Sequence, residues 1–361
     1  MNYRSLLTPV LFLALQTAAQ PPQTNAQPTQ STAQPLQTTA PPRTSLSSLH
    51  TVTIRLRHPI SLPVGPGTCF SHFEVIDERA DTCRIGVHKS VPDFGGNHDR
   101  QLVFDHSTAS EIADYLNHRL AHPGAPYTAL VILRTLWLSD ANYFREDLVR
   151  NPILRFERTH IHLKAEIYAI HDGRYIPVLR FDTLQTAWKK RLYQERSTYY
   201  EWGQNLVLLM NELADSASRV AARKEDGPWV ALEDIRQFNS SRFDAPIAET
   251  PPARGVYANF EEFRNNTPSI QDFEIKTENN EHLLYIRESG KTYYSHDAWG
   301  YSDGKDIYVM RDGILCPAWK EGKAFYIPSG TTTGGTLTIA RNHDYKQRSI
   351  YSIDMDTGDI Y

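Results

Sequence analysis

The chain has 361 residues, of which 38 are Lys or Arg and 42 are Asp or Glu, so its formal net charge is −4. This balance, with no cluster of basic residues, argues against binding to nucleic acid or to an anionic membrane surface. After the N-terminus, no apolar run approaches the ~20 residues of a membrane-spanning helix, so no transmembrane segment is predicted once the signal peptide is cleaved.

Residues 1–19 are predicted to be a secretory signal peptide. Arg4 is the only charge, residues 6–15 are mostly apolar, and Thr17-Ala18-Ala19 supplies small residues for cleavage. The apolar run is too short to span a membrane. A lipoprotein carries its lipid-attachment cysteine directly after the cleavage site. The first cysteine of this sequence is Cys69, far from that position. We expect a soluble exported protein, cleaved after Ala19, that is periplasmic or extracellular.

Residues 20–48 consist mainly of Gln, Thr, Pro and Ala, with Arg43 as the only charge. This composition offers little apolar surface to bury, so it predicts a disordered tether. The roughly 310 residues that follow are enough for two ordinary domains.

Cys69 and Cys83 could form a disulfide in an oxidising compartment, which would leave Cys316 free. If the residues between them form a hairpin that turns near Arg79-Ala80-Asp81, Cys83 faces about Ile76 and a bridge to Cys69 is out of reach. The sequence leaves both alternatives open.

Residues 49–225 are predicted to form an α+β domain of helices and a mainly antiparallel sheet. Ser107 is suited to cap a helix, and Asp172-Gly173 is a strong signal for a tight hairpin turn. The strands are predicted at Phe70–Asp77, Arg84–Lys89, Ala129–Leu138, Arg158–Ile170 and Tyr175–Asp182, and the helices at Glu111–His122 and from about Leu184 to Arg223, with a possible break near Trp202-Gly203.

Residues 226–253 are predicted to be a Pro-containing linker, and residues 254–361 a β-meander domain with one short helix near Asn259. X-Gly turns recur in this last region, three of them nine residues apart, which is the spacing of a strand plus a turn. The predicted strands are Leu283–Glu288, Lys291–Tyr301, Asp306–Arg311, Ile314–Lys320 and Lys323–Pro328, and a turn at Asp356-Thr357-Gly358 follows near the C-terminus.

A possible metal site lies in the strand "HIHLKAEIYAIHDG". His160, His162, Glu166 and Gly173 resemble the H-x-H-x₃-E-x₆-G core of the first cupin motif, in which His and carboxylate side chains bind a metal. That pattern expects a glycine where Leu154 stands, and no second motif supplies another histidine. The alternation along the strand favours a simpler reading, with an apolar row in the core and a polar row of His160, His162, Lys164 and Glu166 in solvent. No metal and no cofactor are therefore predicted.

Two other motifs are better explained as turns. Ser302-Asp303-Gly304-Lys305 fits the S-x-x-K pattern of penicillin-binding enzymes, but that chemistry needs Ser and Lys one helical turn apart, whereas Asp-Gly favours a tight turn. Asp354, Asp356 and Gly358 resemble the start of a calcium loop, although the sequence supplies no bidentate Glu at its twelfth position. No G-x-S-x-G or H-E-x-x-H motif is present, so the sequence favours a non-enzymatic protein and leaves catalysis an open question.

An aromatic strand face is the remaining candidate for a ligand site. Trp299 and Tyr301 are two residues apart and would share one face of a strand, with Asp303 nearby and Trp319 on a later strand. Exposed aromatic rings beside carboxylates suit a sugar or a peptide, whereas buried ones would form the core of a thin sheet.

Four long strings resemble exported, signal-peptide-bearing proteins of Bacteroidota: GVY-x-NFEEFRNNTPSI from Gly255, AWGYSDGKDIYVMRDG from Ala298, YTALVILRTLWLSDANYFREDLVRNP from Tyr127 and STYYEWGQNL from Ser197. The resemblance covers nearly all of the chain after the tether and brings no known activity with it. The sequence thus predicts a cell-envelope accessory or binding protein that acts through protein contacts. The alternatives are a glycan- or peptide-binding module that uses the aromatic face, and a cupin-like metalloenzyme or hydrolase.

Overall fold

The structure, a computed structural model, describes residues 45–56, 68–90, 98–146, 153–191, 198–223, 228–241, 244–278, 281–311, 313–327, 345–348 and 350–361. Helices, mostly antiparallel sheets and a C-terminal series of short strands confirm the predicted α+β class. No helix among these residues is long and apolar enough to cross a membrane.

The strands are β1 His50–Thr53, β2 Phe70–Asp77, β3 Gly86–Ser90, β4 His98–Val103, β5 Tyr127–Glu146, β6 Ile153–His171, β7 Arg174–Arg191, β8 Gly255–Tyr257, β9 Phe273–Glu278, β10 Glu281–Glu288, β11 Lys291–Tyr294, β12 Gly300–Ser302, β13 Ile307–Arg311, β14 Ile314–Glu321, β15 Ala324–Ile327, β16 Tyr345–Arg348 and β17 Tyr351–Ile353. The α-helices are α1 Thr108–Arg119, α2 Thr198–Ala221, α3 Leu232–Ser241, α4 Pro246–Glu249 and α5 Phe260–Arg264.

An eight-stranded sheet is built around the long strand β5. Its order is β1-β4-β3-β5-β6-β7, and β2 and β16 also pair with β5. On one side, β6 pairs with β5 in antiparallel register over nearly the whole length of β5. Three short strands also pair with successive parts of β5: β2 and β3 run parallel to it and β16 antiparallel.

The hairpin of β6 and β7 turns at Asp172 and Gly173, as predicted. Both residues have positive φ angles, 50° and 73°, which this type of two-residue turn requires. β7 then pairs with β6 as far as Arg191. The prediction of a helix from about Leu184 is therefore wrong for its first part, because strand pairing overrides the local helical pattern. Helix α2 begins at Thr198 and continues through Trp202-Gly203 without the suggested break.

One face of the large sheet packs against α1 and α2. The apolar row of β6 predicted to lie in the core does so, together with Trp202, Leu206, Val207, Leu209 and Met210 of α2. Ser107 caps α1 as predicted, its side chain accepting a hydrogen bond from the backbone N–H of Ser110 at 3.2 Å.

A β-bulge at Arg134 changes the side-chain alternation along β5. Leu133 is paired with Ala165 and Thr135 with Lys164, so Arg134 is an extra residue in β5. Before the bulge, odd-numbered residues such as Leu133 belong to the core under the helices, and after it the even-numbered Leu136 and Leu138 do. Arg134 and Thr135 consequently both lie on the opposite face of the sheet, since a bulge redirects side chains in this way.

All three cysteines are free. β2 pairs with β5 and not with β3, so the hairpin considered as one alternative between Cys69 and Cys83 is not present. The two residues instead flank β2, an eight-residue strand roughly 26 Å long, which is too far for a disulfide.

The C-terminal strands form a six-stranded sheet of order β17-β15-β14-β13-β12-β8 and a three-stranded sheet of order β11-β10-β9. The predicted turn glycines Gly290, Gly304, Gly313 and Gly322 have positive φ angles. Helix α5 begins beside Asn259 as predicted, and the Asn259 side chain caps it. The predicted strand Lys291–Tyr301 is two strands in different sheets, because the chain bends at residues 296–298.

The second face of the large sheet is covered by α3 and by the C-terminal strands. Ile235 of α3 packs on Leu130 and Ile132 of β5. Another cluster joins Leu46, Val87 and Trp137 to Ala324, Tyr326 and Ile350. The large sheet is thus largely buried on both faces along residues 129–140 of β5 and 161–167 of β6.

Candidate functional site

The polar row of β6 lies against the C-terminal segment and not in solvent. His162, Lys164 and Glu166 are only 6%, 8% and 4% exposed. Their predicted exposure is wrong because residues 354–361 cover this face of the sheet. Burying these groups is costly unless each has a partner, so their partners define the site.

Lys164 is held by carboxylates from two directions. Its Nζ forms an ion pair with Asp354 and lies 3.3 Å from Oδ2 of Asp182 on the adjacent β7. Burial by itself would lower the pKa of the Lys164 ammonium, but the hydrogen bond and charge of Asp354 outweigh it, so the pKa is raised. Lys164 therefore stays charged and anchors the C-terminal segment to β6.

Glu166 accepts hydrogen bonds from three side chains. Arg134 donates to Oε1 at 2.5 Å, Arg180 donates to the same oxygen at 2.8 Å, and the Tyr168 hydroxyl donates to Oε2 at 3.0 Å. Burial alone would raise the pKa of Glu166, but the hydrogen bond from Arg180 and the charge of Arg134 lower it overall. Arg134 also donates to Asp356 at 2.5 Å, which makes it a second link to the C-terminal segment.

His162 completes the row. Its Nε2 lies 3.0 Å from Oδ1 of Asp182, and its ring meets the ring of Tyr361 edge to face, with centroids 4.1 Å apart. The Tyr361 hydroxyl donates to Thr135 Oγ1 at 3.3 Å. Burial lowers the pKa of His162 and the charge of Lys164 adds to this, although the hydrogen bond with Asp182 opposes it. Burial likewise raises the pKa of Tyr361.

A small cavity of about 40 Å³ lies between β5 and the C-terminal segment, with room for a few water molecules. It is lined on one side by Arg134, Thr135 and Trp137, and on the other by Ser352, Asp354 and Tyr361. Each charged group of the network already pairs with an opposite charge. The arrangement is therefore suited to clamping two parts of the chain together.

The candidate metal residues share one face of β6 but do not converge. His160 contacts Thr186 at 3.2 Å, His162 contacts Asp182, and Glu166 is engaged by Arg134 and its other donors. In the described part of the chain, no three His, Cys, Asp or Glu side chains form a group that could hold a metal ion. The Asp354 and Asp356 carboxylates, which looked like the start of a calcium loop, instead face Lys164 and Arg134.

A second polar network links the same parts of the chain. Arg84 lies 3.1 Å from Asp81 and 3.1 Å from Glu321 at the end of β14. The Tyr326 hydroxyl donates to Asp81 at 2.5 Å, and Glu321 also accepts from the backbone N–H of Leu46 at 2.6 Å. Neither network was predicted, because bonded partners in these networks are up to 275 residues apart in the chain. The charges alternating along β6 and the aspartates at the C-terminus were the only signal.

The predicted aromatic face is divided between two cores. Trp299 is half-buried and stacks on Phe263 at 4.1 Å, whereas Tyr301 is buried and stacks on Tyr308 at 4.8 Å. These contacts belong to different clusters on opposite faces of the six-stranded sheet. The expectation of a shared face is wrong because β12 begins only at Gly300, so alternation does not extend back to residue 299.

The other two predicted ligand residues lie apart from this pair. Asp303 is exposed and accepts hydrogen bonds from the backbone N–H groups of Lys305 and Asp306, which fixes the turn after β12. Trp319 is half-buried and packs with Tyr326, at a centroid distance of 5.9 Å. The four predicted residues therefore do not form one surface.

A different row of aromatic rings lies on and beside the three-stranded sheet, with Tyr285 half-buried and Tyr294 and His296 exposed. Tyr285 and Tyr294 are cross-strand partners with ring centroids 5.8 Å apart, and Tyr294 stacks on His296 at 6.0 Å. Lys276 Nζ lies over the Tyr285 ring at 4.5 Å. The Tyr294 hydroxyl donates to the carbonyl of Gly313 at 2.5 Å, which fixes the ring while leaving it 39% exposed.

No protein-family model and no curated protein matches the chain. Among solved structures, the crystal structure of protein XCC0632 from Xanthomonas campestris, which carries the family-model name DUF330, is similar to part of it. The match covers 49% of this chain and 98% of that one, with 11% sequence identity and a TM-score of 0.24. A TM-score this low supports no statement about fold or function.

Proposed function

We propose that the chain is an exported accessory protein of the cell envelope that acts by binding another protein. The observation that carries this proposal is a pair of exposed aromatic side chains, Trp229 just before α3 and Phe238 within it. Trp229 is 60% exposed and Phe238 is 49% exposed. Large exposed aromatic residues are enriched in protein–protein interfaces and dominate their binding energy.

Trp229 and helix α3, with Phe238, are called the α3 surface here. The sheet beneath holds this surface rigidly. Ile235 anchors the middle of the helix on β5. The Phe238 ring lies 5.6 Å from the Arg134 guanidinium and 5.8 Å from that of Arg180. Val230 pairs with Tyr175 at the start of β7. A surface held at both ends and in the middle loses little conformational entropy when a partner binds.

Export is proposed from the N-terminal sequence alone, in which Arg4 precedes the apolar residues 6–15 and the small residues up to Ala19. We expect the mature protein to begin at Gln20 and to be recovered from the periplasm or the medium. N-terminal sequencing of the protein from fractionated cells tests this, and an uncleaved N-terminus on protein from the cytoplasm would contradict it.

Site-specific photocrosslinking in the native cells tests the binding function. A photoreactive amino acid at position 229 is expected to give one adduct of defined mass. The same amino acid at Leu208, an exposed position on α2, should not give it. Phe238→Ala should reduce the adduct at position 229 without unfolding the protein. Equal adducts from positions 229 and 208, or none from either, would overturn the proposal.

A glycan- or peptide-binding function is the second candidate, and the row formed by the half-buried Tyr285 ring and the exposed Tyr294 and His296 rings favours it. This row replaces the predicted Trp299 and Tyr301, whose rings pack in the protein's own cores. Affinity electrophoresis in gels containing envelope polysaccharide tests it. Retardation that is lost in Tyr294→Ala and kept in Trp299→Phe is expected, and no retardation of the unmodified protein would exclude polysaccharide as the ligand.

A further inference from the structure

The outer edge of β7 is an unpaired strand edge in the part of the chain that the structure describes. β7 is the last strand of the eight-stranded sheet, and β6 pairs with only one side of it. On the other side, the bridge from Tyr175 to Val230 near the start of the strand is the one backbone hydrogen-bonded pairing among the described residues. The backbone N–H and C=O groups that point outwards between Leu179 and Ala187 are therefore available to another strand.

This edge lacks the features that usually prevent pairing. Pro177 and the bulge at Val178 interrupt the strand only at its beginning, and charged residues follow only from Lys189 onwards. Between these limits lies a regular strand of about 30 Å with two charged side chains, Arg180 and Asp182. Leu184 in its middle is 55% exposed, an unusual position for a leucine on a free edge.

We propose that two copies of the chain associate through their β7 edges, antiparallel, with the two-fold axis at Leu184. The two eight-stranded sheets then join into one continuous sheet. The contact is isologous, since the same strand is used by both copies. This interface is separate from the α3 surface and goes beyond the function proposed above.

The side chains select this register. Centring the pair at residue 184 places each Leu184 against the partner's Leu184, which covers the exposed apolar side chain. Asp182 then faces the partner's Thr186, whose hydroxyl can donate to the carboxylate. Centring at Asp182 would set two carboxylates opposite each other, and centring at Phe181 would bring the partner's Leu184 against the bulge at Val178.

The existing contacts of β7 are compatible with this pairing. Asp182 bonds with His162 and Lys164 through the face of the sheet, and a carboxylate can accept further hydrogen bonds. Strand pairing uses the backbone groups along the edge, so the core under α1 and α2 is unchanged.

Sedimentation velocity of the mature full-length protein tests the association. A concentration-dependent dimer is expected. Leu184→Lys, which places two ammonium groups at the axis, should raise the dimer dissociation constant by about tenfold or more. The matched variant Leu208→Lys, at a position 39% exposed on α2, should leave it unchanged.

A cysteine variant tests the register itself. In a Cys83→Ser background, Leu184→Cys should form an intermolecular disulfide on mild oxidation, because directly opposed strand residues have Cα atoms about 4.5–5.5 Å apart. Leu208→Cys should not form it. A protein that is monomeric at all concentrations, or a dimer indifferent to Leu184→Lys, would overturn the inference. The photocrosslinking experiment at position 229 tests the binding function on the same protein and does not depend on dimer formation. The dimer and the binding function can therefore fail separately.

Discussion

At the scale of single residues, the Lys164–Asp354 ion pair is the most deeply buried link between β6 and the C-terminal segment. Both side chains are at most a tenth exposed. Removing one partner of a buried pair costs more than the pair contributes, because the remaining charge is stranded away from water. We therefore expect Lys164→Met to lower the free energy of unfolding by roughly 3 kcal/mol, measured by urea denaturation.

A double-mutant cycle separates this effect from lost packing. In Lys164→Met/Asp354→Asn no charge is stranded at the pair, so the double variant should be more stable than the sum of the two single losses predicts. Strict additivity of the two losses would show that the side chains do not interact.

His162, which contacts Tyr361 of the C-terminal segment, makes the stability of the protein depend on pH. Folding lowers its pKa below the ordinary value of 6.5, so near and below this pH the unfolded chain binds more protons than the folded one. The free energy of unfolding should consequently fall as the pH drops below 6.5. His162→Gln should flatten this part of the profile in urea denaturation at a series of pH values.

His282 must be separated from His162 in that measurement, because burial lowers its pKa as well. His282→Gln should keep the His162 share of the slope, and the double variant should have a flatter profile than either single variant. An unchanged profile in His162→Gln would contradict the assignment. Glu166 acts in a more acidic pH range. Folding lowers its pKa from the ordinary value of 4.5, so the free energy of unfolding should fall as the pH drops below 4.5.

At the scale of secondary-structure elements, the close approach of β3 to β5 depends on a residue without a side chain. A Cβ atom at Gly86 would overlap the backbone carbonyl of Leu138, which cannot move without breaking the sheet. We expect Gly86→Ala to cost roughly 3 kcal/mol or more, at the upper end for overpacking.

Gly124→Ala is the matched control for this substitution. Gly124 has a φ of 89°, but no atom lies within 4 Å of the position that an alanine Cβ would take, so alanine there should cost only about 1 kcal/mol of backbone strain. Equal losses in the two variants, measured by thermal denaturation, would show that the overlap with Leu138 is relieved.

The elements also show what the sequence could and could not predict. The β6–β7 hairpin, the cap of α1 and the turns of the C-terminal strands follow from local signals, and all were predicted. The burial of Lys164 was not, because alternation along a strand shows which residues share a face but not what covers that face. The bulge at Arg134 has no local signal either, since Arg134 lies in an otherwise regular apolar strand.

At the scale of the whole molecule, the large sheet and the C-terminal strands are joined by an apolar cluster and by two ionic networks. Trp137 and Tyr326 meet in the cluster, with ring centroids 5.5 Å apart. Arg84 pairs with Glu321 in one ionic network, and Lys164 pairs with Asp354 in the other. Separating the two parts would expose apolar surface and strand several charges at once.

We therefore expect residues 45–361 to unfold in one calorimetric transition, although the sequence predicts two domains joined by a linker at 226–253. Asp354→Asn, which weakens the ion pair between the parts and leaves an amide oxygen to accept from the Asp356 N–H, should lower this single transition by roughly 5 °C. Asp303→Asn, at an exposed turn within the C-terminal strands, is the control and should change it little. Two separate transitions, with only the lower one moved by Asp354→Asn, would instead mean that each part holds its fold without the other and that the ionic networks merely dock them.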